Sequence, residues 1–403
     1  MAEKKQYSQE KRFPLTDFFT SWLQYRRFKK LPAKKRNIVF YAESGQDWHH
    51  LVPLISRLTK DLSRTVCYVT SDASDPGLHQ NNNKLIGFYI REGFLQISFF
   101  QFLKAGVLVL TMEDLQVFQL KRSIHPVHYI FIFHAMGSTH MVNLENSYDH
   151  YDTLFCVGEH QKTEIRKREQ LKGLPAKNLF NYGYSRLDAL ITDNVSKAPE
   201  QKSNKPPTVL VAPTWGDNSI LNICGEQLVT ILIEAGFRVI LRPHYQTVKL
   251  TPRVVNMILD KYRNHPNLSY VTRMGDIDSL FESDLLICDW SSTSIEYGLG
   301  LEKPVLYIDV PRRVRNPSYT ELAIEPMEVT IRDKIGAVLD PTELDRAPEV
   351  IYKLLENQTQ FKEKIERLRR QLVFNLGHSA EIGAKEIARI ADQQALKRNK
   401  TSL

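Results

Sequence analysis

Cysteine is scarce in this sequence, and long apolar runs are absent. The 403 residues include four cysteines, which are far apart and lie mostly in apolar stretches: Cys67, Cys156, Cys224 and Cys288. This usage predicts buried thiols in a reducing compartment rather than disulfides. No apolar run is long enough to span a bilayer, and the polar N-terminus lacks the apolar core of a secretory signal. We therefore expect a cytoplasmic protein.

Several motifs of common enzyme and nucleic-acid-binding classes are also missing. The sequence has no Walker loop, no Gly-x-Gly-x-x-Gly after a predicted strand and no Ser nucleophile elbow. It lacks zinc-like Cys/His spacing, an RRM signature and a uniformly basic domain, so nucleic acid ranks last among the partners considered. Asp276-Ile277-Asp278 matches a metal-binding Asp-x-Asp, but it precedes a predicted helix and is better explained as a cap. No metal and no cofactor are expected.

Positive charge is in excess over negative charge. Lys and Arg number 54 against 46 Asp and Glu, a formal net charge of +8. This balance fits an anionic partner, such as a phosphate-bearing substrate or a membrane surface. The hydrophobic fraction of 42% is ordinary for a folded soluble protein, and the length favours two domains of similar size.

Residues 1–36 are basic and aromatic. Phe18, Phe19, Trp22 and Leu23 approximate helical spacing, with Lys and Arg interleaved. A helix of this type can lie in a lipid interface with its aromatic side chains in the membrane and its cations among the headgroups. The alternative is a helix that packs on the protein body and keeps its charges solvated. We predict a basic amphipathic arm that contacts an anionic membrane surface.

Short apolar runs alternate with helical or loop segments in two series. The first series comprises runs at 37–41, 65–70, 107–112, 129–134, 154–158 and 179–183, and the second comprises runs at 208–212, 237–241, 268–271, 285–288 and 304–308. Such alternation predicts parallel strands joined by crossover helices. The Pro- and Lys-containing stretch 192–208 is the best linker candidate. We expect two facing Rossmann-like domains, followed by helices.

The predicted domain boundaries follow from this division. The arm covers 1–36, and an N-terminal acceptor-side domain covers 37–195. A C-terminal nucleotide-donor domain covers 205–375, and a C-terminal helix with a basic tail covers 376–403. Ligands of such sheets gather beyond the carboxyl ends of the strands.

The run from Asp289 to Tyr297 combines a strand end with a hydroxyl-rich helix start. Ser291, Ser292, Thr293 and Ser294 follow Asp289 and Trp290. The first N–H groups of a helix lack internal partners, and the helix dipole favours negative charge there, so this start predicts an anion site. Glu296 could accept hydrogen bonds from sugar hydroxyls. The alternative is an N-cap run in which Glu296 closes a capping box.

A histidine at the end of a predicted strand precedes a turn of small residues. In Phe133-His134-Ala135-Met136-Gly137-Ser138-Thr139, Gly137 allows close backbone approach. His134 could act as a general base, because imidazole titrates near neutrality. The alternative is a hydrogen-bonded core histidine. Glu43 also follows a predicted strand and is expected at the same sheet edge, on the acceptor side with Gly137, Ser138 and Thr139.

Arg242-Pro243-His244 follows another predicted strand. Pro243 restricts the backbone, so that Arg242 and His244 keep a defined relation. Arginine offers a planar fork to phosphate oxygens, and a protonated histidine would add a second charged donor. The alternative is a structural turn.

The order of these motifs resembles a known family. The set contains, in chain order, the His134 turn, Gly183-Tyr184-Ser185-Arg186-Leu187-Asp188, Ala212-Pro213-Thr214-Trp215, Arg242-Pro243-His244, Asp289-Trp290-Ser291-Ser292 with Glu296-Tyr297, and Lys303-Pro304-Val305. It is similar to the CDP-glycerol glycerophosphotransferase family, which includes teichoic-acid primases and polymerases. The sequence departs from the family pattern at Ala135-Met136, where Gly-Thr is usual, and at Gly216, where arginine is frequent.

The resemblance implies a GT-B-type fold, a CDP-activated polyol phosphate donor and a membrane-associated glycan or lipid acceptor. It implies transfer of glycerol phosphate with release of CMP. The implied site has His134 and His244 as catalytic residues, donor phosphates at Arg242, His244, Ser291, Ser292 and Thr293, and the nucleotide or polyol near Thr214, Asp289 and Glu296.

Two other functions are compatible with the same residues. One is a GT-B glycosyltransferase or epimerase that uses a nucleotide sugar. The other is a non-catalytic scaffold at a membrane surface. The expected location is the cytoplasm, peripheral to the inner face of the cell membrane.

Overall fold

The computed structural model describes residues 15–113, 115–196, 206–271, 277–356 and 358–401. The first part of the predicted arm, the core of the predicted linker and Asp276 lie outside this described part. The chain divides into two compact units, Met1–Tyr129 with Ile387–Leu403, and Ile130–Glu386. The domain boundaries expected from the sequence stay a prediction.

In the first unit, four parallel strands pair in the order β3-β2-β1-β4. They are β1 (Ile38–Ala42), β2 (Val66–Thr70), β3 (Leu85–Tyr89) and β4 (Val107–Leu110). The helices are α1 (Leu15–Lys30), α2 (Trp48–Ser56) and α3 (Phe94–Gln101). Every residue of β1, β2 and β4 is buried, as expected of parallel strands covered on both faces.

Helix α1 is an integral part of the first unit. Phe28 is 1% exposed and makes edge-on contacts with Phe88 and Phe99, each at a ring-centroid distance of 5.3 Å. The hydroxyl of Tyr25 donates to the carbonyl of Ser98 at 3.1 Å. One face of the predicted arm therefore packs on the protein body, while Phe19 on another face remains 59% exposed.

In the second unit, the strands again run parallel. Strand β5 (His128–Ile132), which begins in the first unit, pairs with β6 (Thr153–Cys156), and β6 pairs with β7 (Asn178–Asn181). A six-stranded sheet has the order β10-β9-β8-β11-β12-β13. Its strands are β8 (Thr208–Val211), β9 (Arg238–Leu241), β10 (Leu268–Tyr270), β11 (Leu285–Cys288), β12 (Val305–Ile308) and β13 (Gly336–Leu339).

Helices connect and flank these strands. They are α4 (Glu159–Lys172), α5 (Ser185–Ser196), α6 (Ile220–Ile223), α7 (Gly225–Glu234), α8 (Tyr245–Leu250), α9 (Pro252–Lys261), α10 (Asp278–Glu282), α11 (Thr293–Leu301), α12 (Met327–Thr330), α13 (Arg332–Ile335), α14 (Ala347–Glu356), α15 (Gln358–Leu372) and α16 (Ser379–Thr401). From Ile387 onward, α16 belongs to the first unit.

The architecture confirms the α/β fold with parallel sheets that the sequence predicted. Two strands were not predicted. β3 has the apolar sequence Leu-Ile-Gly-Phe-Tyr, interrupted by Gly87, and β13 is four residues long and begins with glycine; glycine weakens a strand pattern. Helix α5 continues to Ser196, inside the predicted linker, where the side chain of Asn194 donates to the carbonyl of Leu301 at 3.2 Å.

Within the described residues, none of the helices combines the length and apolar character that a membrane crossing requires.

Candidate functional site

Three adjacent strands of the six-stranded sheet bring the predicted donor-side motifs to one edge. The backbone N–H of Ala212 donates to Ile287 at 3.1 Å, and that of Arg242 donates to Val211 at 2.9 Å. The loops that follow β8, β9 and β11 therefore begin side by side. This placement agrees with the rule that ligands of such sheets bind beyond the carboxyl ends of the strands.

Asp289 organises this edge through its carboxylate. It accepts the backbone N–H of Thr214 at 2.7 Å and that of Ile220 at 3.2 Å. It is 1% exposed, and burial raises its pKa. The sequence predicted that Asp289 and Thr214 contact the nucleotide or polyol. In the structure, the Asp289 carboxylate is instead occupied by backbone donors, and it shapes the loop after β8.

The start of α11 presents hydroxyls and amides. Ser291, Ser292 and Thr293 are all half-buried. The Ser292 side chain makes no capping hydrogen bond, whereas Ser291 Oγ accepts the N–H of Thr293 at 3.4 Å. The alternative capping box is wrong, because Glu296 is directed elsewhere. An anion site at this helix start remains the interpretation that fits.

Glu296 joins three segments of the second unit. Its carboxylate receives the Tyr184 hydroxyl at 2.7 Å and the Arg186 Nε at 2.6 Å. The Tyr184 hydroxyl also lies 3.0 Å from the backbone oxygen of His134. Burial and then the charge of Glu296 raise the pKa of Tyr184, so the hydroxyl stays a donor. Glu296 therefore belongs to a buried network that couples α11 to the strand end that carries His134, and its predicted sugar contact stays a prediction.

His134 lies just beyond β5, and its side chain is exposed. The backbone at this position is held by Tyr184, as described above. The imidazole is therefore accessible to a substrate, and the backbone from which it extends is held in place. The alternative of a core histidine does not fit this exposure.

The turn after His134 is buried. The predicted acceptor-side residues Ser138 and Thr139 are 3% and 7% exposed. The Ser138 N–H donates to Glu328 at 3.0 Å, and the Thr139 N–H and hydroxyl donate to Glu164 at 2.6 and 2.7 Å. A side chain at Gly137 would overlap the Glu328 carboxylate. These three residues therefore hold the turn in place, and the acceptor contacts predicted for them stay a prediction.

Arg242 is directed toward the interior of the second unit. Its guanidinium donates to the Ser279 hydroxyl at 3.2 Å. Burial raises the pKa of the Tyr297 hydroxyl, and the charge of Arg242 offsets part of that rise. The predicted phosphate contact of Arg242 is not tested by these interactions and stays a prediction.

His244 is neutral rather than protonated. Burial and then the charge of Arg313 lower its pKa to about 4. Its Nδ1 accepts the N–H of Gln246 at 3.1 Å, which leaves the proton on Nε2. The expectation of a charged His244 is therefore wrong, and the ring offers a neutral N–H donor.

Arg313 supplies a cation beside this donor. Its guanidinium lies 4.5 Å from the centroid of the Trp215 ring, and that ring lies 6.0 Å from His244. The family pattern has a frequent arginine at the position of Gly216. Gly216 has a φ of +104°, and no atom lies within 4 Å of the place that a Cβ would take. Arg313 is thus a candidate site residue that the motifs of the sequence did not identify.

The lowered pKa of His244 predicts a pH dependence of stability. Between about pH 4 and 6.5 the folded protein binds fewer protons at His244 than the unfolded chain does. The contribution of His244 to the free energy of unfolding is therefore fully present above about pH 6.5 and is lost as the pH falls toward 4. In His244→Asn, the amide oxygen can still accept the N–H of Gln246, but the side chain at this position no longer titrates. Chemical denaturation at several pH values across this range should show that the free energy of unfolding changes less steeply with pH in the variant. Equal slopes in the variant and the parent protein would contradict the lowered pKa.

Two further motif residues have structural partners. Asp188 accepts the backbone N–H groups of Gly377 at 2.7 Å and Ser379 at 3.0 Å. Lys303 Nζ donates to the carbonyls of Phe281 at 2.7 Å and Ser283 at 2.6 Å. These motif positions maintain the fold around the site. Glu43, predicted on the acceptor side, lies after β1 in the first unit, where its N–H donates to Asp47 at 3.0 Å.

The described residues contain no group of three or more His, Cys, Asp or Glu side chains placed to hold a metal ion.

Comparison with known proteins places the chain in a family. Residues 23–310 match the family model described as CDP-Glycerol:Poly(glycerophosphate) glycerophosphotransferase. No curated protein matches the sequence.

Solved structures share the fold. The wall teichoic acid polymerase TagF, as an H444N variant with CDPG, has a TM-score of 0.59 at 16% identity, over 95% of this chain and 99% of that one. A UDP-GlcNAc 2-epimerase from Neisseria meningitidis has a TM-score of 0.56 at 14% identity, over 87% and 99% of the two chains. A putative UDP-N-acetylglucosamine 2-epimerase from Listeria monocytogenes has a TM-score of 0.57 at 14% identity, over 85% and 93%.

The fold is therefore shared by polymerases and epimerases, and these likenesses do not distinguish between them. The family model does, because it covers most of the chain and spans every motif from Gly183 to Val305. The chain belongs to the CDP-glycerol:poly(glycerophosphate) glycerophosphotransferase family and is an enzyme of that class.

Proposed function

We propose that the protein transfers glycerol phosphate from CDP-glycerol to a hydroxyl of a membrane-associated glycan or lipid acceptor. The new bond joins the acceptor oxygen to the phosphorus that carries glycerol. The bond between that phosphorus and the bridging oxygen of CDP breaks, and CMP leaves. The family match over residues 23–310 is the observation that carries this proposal.

The donor phosphates would lie at the start of α11. The hydroxyls of Ser291, Ser292 and Thr293 would be the donors there, and the helix dipole favours an anion. The Arg313 guanidinium and the neutral Nε2–H of His244 would add donors from neighbouring loops. Phosphoryl transfer depends chiefly on such positioning and charge stabilisation.

His134 would accept the proton of the attacking hydroxyl. Its exposed imidazole stands on a backbone that is tied through Tyr184 to Glu296 of α11. The same helix would hold the donor, so the Tyr184–Glu296–Arg186 network would keep the base and the phosphate site in a constant relation. Effective catalysis requires such alignment of reacting groups.

The polymer is proposed to be teichoic-acid-like, and the enzyme to work at the inner face of the membrane. TagF, which shares the fold, is described as a wall teichoic acid polymerase. The exposed apolar face of α1, with Phe18, Phe19 and Leu23, supports contact with a lipid interface.

A nucleotide panel tests the donor. The purified chain is heated with CDP-glycerol, CDP-ribitol, UDP-GlcNAc or CMP. At a hundredfold excess over its Kd, CDP-glycerol should raise the free energy of unfolding by about 2.7 kcal/mol, because it binds only the folded state. A shift with UDP-GlcNAc alone would favour the nucleotide-sugar alternative.

A matched pair of variants extends the panel. Arg313→Gln removes the cation beside Trp215 and should weaken the CDP-glycerol shift. Arg263→Gln removes an exposed arginine whose ion pair with Asp260 lies on α9, and it should leave the shift unchanged. Equal shifts in both variants would remove Arg313 from the proposed site.

A further inference from the structure

A cavity lies in the first unit. It has a volume of about 350 Å³ and is formed by α1, α3 and the segments that carry Arg36 and His125. Its polar lining side chains are Lys29, Arg36, Lys104 and His125, besides the Tyr25 hydroxyl. None of the described residues that line it is acidic. The cavity therefore presents positive charge without an acidic side chain among its described lining residues.

Arg36 is the lining residue that most clearly calls for a bound acceptor. Its Nε–H is buried and has no hydrogen-bond partner among the described residues. Its guanidinium lies 5.9 Å from the centroid of the Phe28 ring, which forms part of the cavity wall. A buried donor that lacks a partner costs free energy, so an acceptor bound here would remove that cost.

A second arginine confirms the positive field. Burial and then the charge of Arg36 lower the pKa of Arg398, which lies on the part of α16 that belongs to the first unit. Phosphate oxygens match the planar fork of arginine in geometry as well as in charge.

The cavity is held in shape by contacts around it. Tyr25 donates to Ser98 at 3.1 Å, and Phe28 packs against Phe99. The Ser123 hydroxyl donates to the carbonyl of Leu103 at 2.8 Å, which fixes the segment that leads to His125. A site that exists before binding loses little conformational entropy on binding.

Apolar side chains are exposed next to the cations. Phe102, in the cavity wall, is 46% exposed, and Ile124, adjacent to His125, is 67% exposed. The N–H of Ile124 donates to Gln101 at 3.1 Å, so the two apolar residues belong to neighbouring backbone segments. A ligand that suits this arrangement has a phosphate and, beside it, an apolar part.

We propose that this cavity binds the phosphate of an anionic phospholipid headgroup, with the lipid's apolar part against Phe102 and Ile124. The proposal rests on the membrane association in the proposed function and gives it a defined site. A soluble phosphate ester has the same phosphate chemistry, so the test includes both sources.

The test uses the full chain and vesicles of phosphatidylcholine with or without phosphatidylglycerol. The double variant Lys29→Ala/Lys104→Ala removes two cavity cations and should lower partitioning onto the anionic vesicles about 10- to 30-fold. The control Lys30→Ala/Lys34→Ala removes two lysines that are exposed, as Lys29 and Lys104 are, but that do not line the cavity, and it should lower partitioning only a few-fold. Equal losses in both would mean diffuse charge attraction and would overturn the site.

Arg36→Lys separates geometry from charge. Lysine keeps the positive charge but loses the planar fork, so partitioning should still fall several-fold. Unchanged partitioning would contradict the role of Arg36. Unfolding curves of each variant show whether a loss arises from the cavity or from the fold.

Isothermal titration with glycerol 3-phosphate and with inorganic phosphate examines the soluble source. Weak or undetectable heat, together with vesicle binding that depends on the cavity, supports the lipid headgroup. Tight soluble binding that Arg36→Lys abolishes, without vesicle binding, would overturn the lipid assignment. The CDP-glycerol thermal shift is measured on the same variants and should be unchanged, so failure of the cavity and failure of the donor proposal remain distinguishable.

Discussion

Replacing His134 by alanine is expected to lower turnover about 10²- to 10⁴-fold, which is the range typical for loss of a general base. Turnover is measured as CMP released from CDP-glycerol in the presence of acceptor. Because the side chain is exposed and its backbone oxygen, not its ring, lies near Tyr184, the substitution should leave the unfolding transition nearly unchanged.

His378→Ala is the matched control for this variant. His378 is also exposed, with 71% of its side-chain surface accessible, and it follows α15 far from the strand end of β5 in sequence. It should retain full turnover. Full turnover in His134→Ala as well would show that His134 is not the base, whatever the donor proves to be.

The second large effect is on stability. Glu296→Ala leaves the buried Arg186 guanidinium without its carboxylate, and the Tyr184 hydroxyl without its shortest hydrogen bond. Breaking a buried ion pair from one side costs about 3–5 kcal/mol, because a charge remains buried without compensation. Chemical denaturation measures this loss in the free energy of unfolding. Turnover should fall too, because the network supports the backbone at His134.

Glu366→Ala provides the comparison for an ion pair at the surface. Glu366 accepts from Arg370 at 2.6 Å, the same length as the Arg186–Glu296 bond, but both side chains are more than half exposed. Solvent screens such a pair, so its loss should cost less than about 1 kcal/mol. If the two variants lose equal stability, the Glu296 network does not have the role assigned to it.

Local sequence patterns were sufficient for much of the fold. Apolar runs of four or five residues ahead of helical segments predicted the buried parallel strands, because covering both faces of a sheet requires continuous hydrophobicity. The same reasoning did not detect β3, which is apolar but interrupted by Gly87. The hydroxyl-rich start of α11 was likewise readable, since the unpaired amides of a helix start are a local property.

Residue roles were harder to predict from the same motifs. Asp188 and Lys303 belong to the ordered set that indicates the family, yet both bind backbone groups of the fold. Glu296 was expected to face a sugar, and in the structure its carboxylate accepts from Arg186. A motif records which residues are needed together, and it does not separate those that touch a substrate from those that support them.

The sequence by itself determined the α/β class, the family and the helix start at Ser291, because each depends on residues that are near one another in the chain. Only the tertiary structure decided that His244 is neutral, that Arg313 stands beside it, and that Gly137 to Thr139 are buried under Glu164 and Glu328. The physical reason is that pKa values and hydrogen-bond partners depend on burial and on charges from segments that folding alone brings together.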